Sequence, residues 1–419
     1  MQTQLIIDNL PQDAAADRTF ERLHPLSGDL VTRAAAASTS DALNAVESAA
    51  KAFQTWSLTG PSERRAILLK AADIMERRTP ELIEAMGSEV GAAPLWAGFN
   101  GFLTANLLRE AAGLATQIQG ETIPTDKPGT LSMTVRVPAG VVLSMAPWNG
   151  AGVLAARAIA YPLVCGNTVV FRGSELSPRS HQLITEVFYE AGLPAGTLNF
   201  ITTSSDDADE VVGAIIAHSA VRRINFTGST KVGRIIAQRA AAELKPCLLE
   251  LGGKAPLVVL DDADLDGAVN AAVFGSFLFQ GQGAEVVLGG HADGAAMPAT
   301  IVDKVSPTMT IYDQETFGPI TTVVRVSGAE EAIRVANDTE YGLAAAVFGR
   351  DTSRALQVAL RIDAGHVHVN GATVQNEAQA PYGGMKASGY GRFDGRAVID
   401  EFTELKWITV EPADQQYPF

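Results

Sequence analysis

The sequence predicts an α/β fold in two domains, and three observations carry that expectation. At 419 residues and 44.0 kDa the chain is too long for one ordinary hydrophobic core. From Gly140 onward short apolar runs alternate with alanine-rich or amphipathic helical stretches, the pattern of a parallel sheet covered on both faces. After about residue 283 a similar alternation resumes, which calls for a second α/β unit.

Taken in order, residues 39–118 read as helices. Ser40-Asp41 caps DALNAVESAAKAFQTWS, and Pro61-Ser62-Glu63 opens ERRAILLKAADIMERR. Pro80 opens ELIEAMGSEVG, and a fourth helix starts at about Pro94. Leu131–Val137 (LSMTVRV) alternates apolar and polar like a half-exposed strand. VVLSMAP, NTVVFR, TLNFIT, RRINFTG, CLLELGG and APLVVLD are the expected sheet strands. Gly252-Gly253 marks a domain boundary. Beyond it come the strand TTVVRV, a helix at AEEAIRVAND, the strand AAAVFGR, a helix at SRALQVAL and the strand HVHVN. There is no internal repeat and no low-complexity linker.

Composition removes several classes of function. Hydrophobic residues make up 47% and charged residues 19%, so the chain folds rather than staying disordered. A net charge of −15 argues against nucleic acid or an anionic membrane as partner, though a phosphate-bearing cofactor needs only a local pocket. The two cysteines, Cys165 and Cys247, exclude a disulfide framework and a multi-cysteine zinc site. The N-terminus does not read as a signal peptide, and no apolar run reaches about eighteen residues. A soluble cytoplasmic protein is the expectation by elimination.

Several motifs carry possible chemistry. Ile224-Asn-Phe-Thr-Gly-Ser-Thr-Lys-Val-Gly233 is a strand ending in a glycine turn that opens a helix, and such a turn suits a phosphate. It matches neither the P-loop nor G-x-G-x-x-G, and taken alone it reads first as a capped strand-to-helix turn. Glu250, in LELGGK, ends an apolar strand, where it serves either as a general base of raised pKa or as an exposed strand-end carboxylate. Asn149, in APWN, is a usable oxyanion donor, although an Asn in a turn is the commoner reading. His366 and His368 alternate along a strand, where satisfied packing is expected rather than metal binding. No G-x-S-x-G elbow occurs.

Together the motifs APWN (146–149), GNTVVF (166–171) with Glu175, AGLPAGTLN (191–199), FTGST (226–230), LELGGKAP (249–256), FGSFLFQGQ (274–282), ETFGPI (315–320), YGLAAAVFGRD (341–351), GHVHVNG (365–371) and PYGGMKASGYGR (381–392) stand in one order. This ordered set resembles the aldehyde dehydrogenase superfamily. The C-terminal half is most similar to the bacterial vanillin, benzaldehyde and salicylaldehyde dehydrogenases.

The resemblance implies a Rossmann-like NAD-binding domain (1–119 and 139–251), a catalytic α/β domain (252–405) and a small β oligomerisation arm (120–138 and 406–419). It implies oxidation of an aldehyde, aromatic by the C-terminal match, to its acid with NAD. A homodimer or dimer of dimers is the implied assembly, and a small aldehyde the implied partner. In the family a cysteine thiolate attacks the aldehyde, and a Glu-activated water releases the acid. By motif, Asn149 is the oxyanion donor and Glu250 the general base. Glu175 would bind the adenosine ribose with Arg172 beside it, where relatives carry Lys. Gly228 and Ser229 would face the pyrophosphate, and Trp148, Glu315 and Phe317 would complete the cofactor site. No metal is implied.

The pattern breaks at one place. The family's nucleophile lies two residues past FQGQ (279–282), where this chain has Ala284. The run after Gln282, GAEVVLGG, belongs several tens of residues further on in relatives, so a block is expected to be missing between Gln282 and Gly283. Cys165 and Cys247 lie in apolar contexts that favour buried thiols. Two readings stand: a dehydrogenase that has lost the segment bearing its nucleophile and is inactive or severely impaired, or a non-catalytic relative that binds nucleotide or pairs with active subunits. The abrupt junction, with intact motifs on both sides, favours the first.

Overall fold

Capping sets where the first helix begins. The computed structural model describes residues 1–278 and 297–414. The chain opens with β1 (Gln2–Thr3), β2 (Leu5–Ile7), β3 (Leu10–Gln12), β4 (Thr19–Leu23) and β5 (Leu30–Ala35). Then come α1 (Thr39–Trp56), α2 (Pro61–Val90) and α3 (Pro94–Leu114). Ser38, not Ser40, caps α1: its hydroxyl accepts from the Asp41 amide at 3.2 Å, and the Asp41 carboxylate accepts from the Ser38 amide at 2.8 Å. Pro80 does not open a new helix but lies inside α2. The helix runs through because Leu68, Ala72 and Met75 before the proline and Leu82 and Met86 after it are buried in the same core.

Next are β6 (Leu131–Pro138), β7 (Val141–Met145), α4 (Ala151–Val164), β8 (Thr168–Gly173), α5 (Pro178–Glu190) and β9 (Leu198–Thr202). After them come α6 (Ala208–Ala217), β10 (Val221–Thr227), α7 (Thr230–Ala242) and β11 (Cys247–Glu250). The main sheet has the order β11-β10-β7-β8-β9-β2-β3, and its middle strands, β11 to β9, are parallel. The chain builds outward from β7 through β8 to β9, then crosses to β10 on the other side. Helices α2 to α5 cover one face of the sheet and α1, α6 and α7 the other, each over its own core. The doubly covered parallel sheet is therefore as expected.

The rest comprises β12 (Leu257–Val259), α8 (Leu265–Phe277), β13 (Thr300–Val302), α9 (Thr310–Asp313), β14 (Ile320–Thr322) and α10 (Ala329–Asn337). After these come β15 (Ala344–Phe348), α11 (Thr352–Ala359), β16 (His366–Val369), β17 (Gly389–Tyr390), α12 (Ala397–Phe402) and β18 (Thr403–Val410). β12, β15 and β16 form a small parallel sheet, and β13 pairs with β14. The expected strand TTVVRV is ladder-paired only through Thr322. β17 returns to the main sheet and pairs antiparallel with β11. Gly389 has φ 109° there, and a Cβ on it would lie 2.0 Å from the Leu249 carbonyl oxygen, so only glycine fits. β6, the strand expected at Leu131–Val137, and β18 pair with each other along their full lengths as a two-stranded ribbon. The junction at Gln282–Gly283 and Ala284 lies outside the described residues.

Candidate functional site

Strand order locates the site. In an open parallel sheet, ligands bind outside the carboxyl ends of the strands, where the chain reverses its direction of building. Here that point lies between β7 and its neighbours β8 and β10. Asn149 comes after the end of β7, Glu175 after the end of β8, Ser229 after the end of β10, and Glu250 ends β11. Residues far apart in sequence thus share one edge.

Asn149 is held through its backbone: the Trp96 indole N–H donates to its carbonyl at 2.9 Å. The Asn149 side-chain oxygen is buried without a hydrogen bond among the described residues. Trp148 beside it meets Phe317 edge to face, with ring centroids 5.6 Å apart. The loop carrying Phe317 also brings Glu315 to the end of β11, where the Gly253 amide donates to Glu315 Oε1 at 3.0 Å. A Cβ on Gly252 would lie 2.5 Å from the other Glu315 oxygen.

Glu250 does not sit in a purely apolar pocket. It is 5% exposed, and its Oε2 accepts from Nη2 of Arg157 at 2.5 Å. Arg157 is buried in the apolar helix α4, with its guanidinium 4.4 Å from the centroid of the Phe393 ring and 5.1 Å from that of Tyr382. Burial works against its charge, but Glu250 and then Asp394 outweigh that and raise its pKa. Asp394 is itself buried. Burial pushes its carboxyl up to about 6, against the pull of Arg157. The motif reading missed Arg157 and Asp394. The available signal was a lone arginine in an alanine-rich apolar helix, which must find a buried partner.

Among the residues expected to hold a cofactor, Arg172 pairs with Glu175 at 2.8 Å and bonds Thr203 Oγ1 at 2.9 and 3.1 Å. Ser229 caps α7 through Val232 N, as the turn reading predicts. The Gly228 amide, however, donates to the Glu250 carbonyl at 3.0 Å, so it ties the turn to β11 and is not left over for a phosphate. The amides of Thr230 and Lys231 at the helix start make no hydrogen bond among the described residues.

Both cysteines are buried. Burial pushes Cys165 up to about 12 and Cys247 up to about 11, so neither supplies a thiolate near neutral pH. His366 and His368 do pack, with His366 4.7 Å from the Tyr382 ring, but they are not satisfied. Both His366 nitrogens lack a hydrogen-bond partner among the described residues, and burial pushes this ring down to about 4. No metal-ligand cluster occurs among the described residues, and no helix there is long and apolar enough to cross a membrane.

The aldehyde dehydrogenase family pattern matches residues 12–284 and 282–408. The chain belongs to the aldehyde dehydrogenase family. It is 56% identical to a salicylaldehyde dehydrogenase of Pseudomonas sp. (strain C18), over 483 residues that cover 100% of both chains. The crystal structure of a salicylaldehyde dehydrogenase from Pseudomonas putida G7 complexed with salicylaldehyde superposes with a TM-score of 0.98 at 56% identity, covering 100% of both. A structure of PnpE in complex with nicotinamide adenine dinucleotide superposes at 0.94, with 32% identity over 100% of this chain and 99% of that one. This dehydrogenase chain is thus an NAD-dependent oxidoreductase by family, and NAD is its cofactor.

Proposed function

We propose that this chain is an NAD-dependent aromatic-aldehyde dehydrogenase that has lost the segment bearing its nucleophile and turns aldehydes over far more slowly than intact relatives. The observation that carries the reading is the break in the family match at 282–284, where Ala284 stands in the nucleophile's place. Alignment length supports it: 483 positions against 419 residues leaves 64 without a counterpart here. The surface supports it too. Helix α8, which leads toward the break, exposes Val269, Val273 and Phe274, an apolar strip of the kind a missing segment would cover. Aromatic substrates are inferred from the salicylaldehyde dehydrogenases.

NAD accepts the hydride in this chemistry. The residues fit it: Thr230 and Lys231 offer amides at a helix start, Glu175 an acceptor for the ribose, and Glu315 and Phe317 a seat beside Trp148. The Gly228 amide drops out of the expected pyrophosphate seat. Glu175 favours NAD over NADP, since its carboxylate repels a 2′-phosphate. Arg172 does not answer that phosphate because its guanidinium is already held by Glu175 and Thr203. We assign Asn149 to hold the aldehyde oxygen and Glu250 to take the proton from water, with Arg157 compensating Glu250 in the buried site. We also retain the two-domain division with its β arm, an assembly of two or four copies, and a cytoplasmic location.

Hydride leaves an aldehyde carbon readily only after an addition makes it a tetrahedral alkoxide. The thiolate would make that adduct, and its own amide would be the second oxyanion donor. Loss of one such donor costs about 10²–10³ in rate, and loss of the covalent route adds to it. The test pairs circular dichroism and NAD and NADP titrations, to show a folded binder with NAD the tighter ligand, with NADH formation from an aromatic aldehyde. The expected rate is at least about a hundredfold below an intact relative. Turnover within about tenfold of that relative, insensitive to thiol alkylation, would sink the reading.

A further inference from the structure

Glu89, near the C-terminal end of α2, is a fully buried carboxylate. Its Oε1 accepts from the Thr32 hydroxyl at 2.9 Å and the Arg179 amide at 2.8 Å. Its Oε2 accepts from the Ser180 amide at 2.9 Å and the Ser180 hydroxyl at 2.8 Å. Arg179 and Ser180 are the second and third residues of α5, and Ser177, the residue before that helix, makes no side-chain capping bond. Glu89 therefore caps α5 from another helix, taking two amides that the first turn leaves open and placing negative charge at its positive end. Burial pushes the carboxyl up, and these donors pull it back.

The capped helix carries the loop of interest. Residues 174–177 join β8 to α5 and include Glu175. The loop is closed by Ser174 N donating to His181 Nδ1 at 2.9 Å, Leu176 N to Ser174 Oγ at 3.2 Å and Ser177 N to the Ser174 carbonyl at 3.2 Å. Burial pushes His181 down to about 3, so its ring is neutral and Nδ1 is free to accept. Arg22 adds a second link: its Nε donates to the Glu89 carbonyl at 2.7 Å, and its charge interacts with both Glu89 and Glu175.

We propose that Glu89 is a positioning residue for the cofactor's adenosine ribose: it fixes the start of α5, and with it the Ser174–Ser177 loop, so that the Glu175 carboxylate meets the ribose hydroxyls in one place. This rests on the reading of Glu175 as the ribose acceptor. The experiment is a double-mutant cycle on the full chain, read by NAD titration, with Glu89→Gln, Glu175→Gln and both together. Each single variant is expected to weaken NAD by about tenfold, and the double variant no more than Glu175→Gln alone. A Glu89→Gln protein that melts earlier yet binds NAD like the parent overturns the proposal, as does a double variant whose losses multiply. A Glu175→Gln protein that binds NAD unchanged, or a parent that does not bind NAD, removes the ribose reading instead, and this proposal with it. If Glu89→Gln does not fold, Ser180→Ala removes one donor and leaves the carboxylate in place. It should weaken NAD by about threefold and show the same non-additivity with Glu175→Gln, and independence from Glu175 again counts against the proposal.

Discussion

Asp394 is an acid buried beside Arg157, Tyr161, Glu250 and Asn376. Burial and the nearby Glu250 favour its neutral form, while Arg157, Tyr161 and Asn376 favour the anion, and burial wins. The folded chain holds this proton up to about pH 6, whereas an ordinary Asp releases it near 3.8. Folding therefore loses stability as pH rises through that window, and the loss levels off above it. An Asp394→Asn variant cannot ionise and should escape the loss. Its unfolding free energy, extrapolated from urea titration, should match the parent's at about pH 4 and exceed it at about pH 8, by on the order of 2–3 kcal/mol. A difference that is the same at both pH values would show that the proton is not held there. At this scale Asn149, Glu175 and Glu250 were legible as candidates because each sits in a motif. Arg157, 93 residues from Glu250, and Asp394 were not, because neither pairing can be read from local spacing.

Elements were legible where their burial is simple. β7, β8 and β9 are buried along nearly all their length, so they read as continuous apolar runs bounded by turns. β1 to β5 were not legible, because strands of two to six residues at sheet margins carry too little periodicity. The continuity of α2 was misread for a different reason: proline is a local signal, and a buried face shared by both halves outweighs it. Pro80 still lacks the N–H that would bond the Glu76 carbonyl, and it lies on the exposed side of the helix. The Thr79 hydroxyl bonds the Met75 carbonyl at 3.0 Å, which leaves the Glu76 position uncompensated. Pro80→Ala should therefore raise stability by about 1–3 kcal/mol, read from a denaturant midpoint at unchanged m-value. An unchanged or lowered midpoint would mean that the helix has adapted fully to the proline.

At the scale of the whole molecule, the family match runs as two segments that meet at 282–284, where the sequence reading expects a missing block. Among the apolar surfaces exposed by the described residues, two make different predictions about association. One is the ribbon of β6 and β18, which exposes Leu131, Leu405, Val410 and Trp407, the last at 70%. A two-stranded ribbon is only marginally stable alone; the segment around Thr122 bonds the outer edge of β6 at Ser132 and Thr134, while β18 pairs with no strand but β6 among the described residues, which is what the proposed association with another copy would cover. Cover of this kind would be closed and symmetric, matching the proposed assembly of two or four copies. The other surface is the strip on α8, where Phe274 is 45% exposed. If it is bare because its covering segment is gone, it has no shaped counterpart and drives open-ended association. The two separate by mutation. Trp407→Lys should shift a defined dimer or tetramer toward smaller species in sedimentation at micromolar concentration and leave any slow aggregation in place. Phe274→Lys should suppress aggregation and leave the defined species unchanged. A parent chain that sediments as a monomer would refute the role given to the ribbon. A defined oligomer lost with Phe274→Lys and kept with Trp407→Lys would reassign the interface to α8.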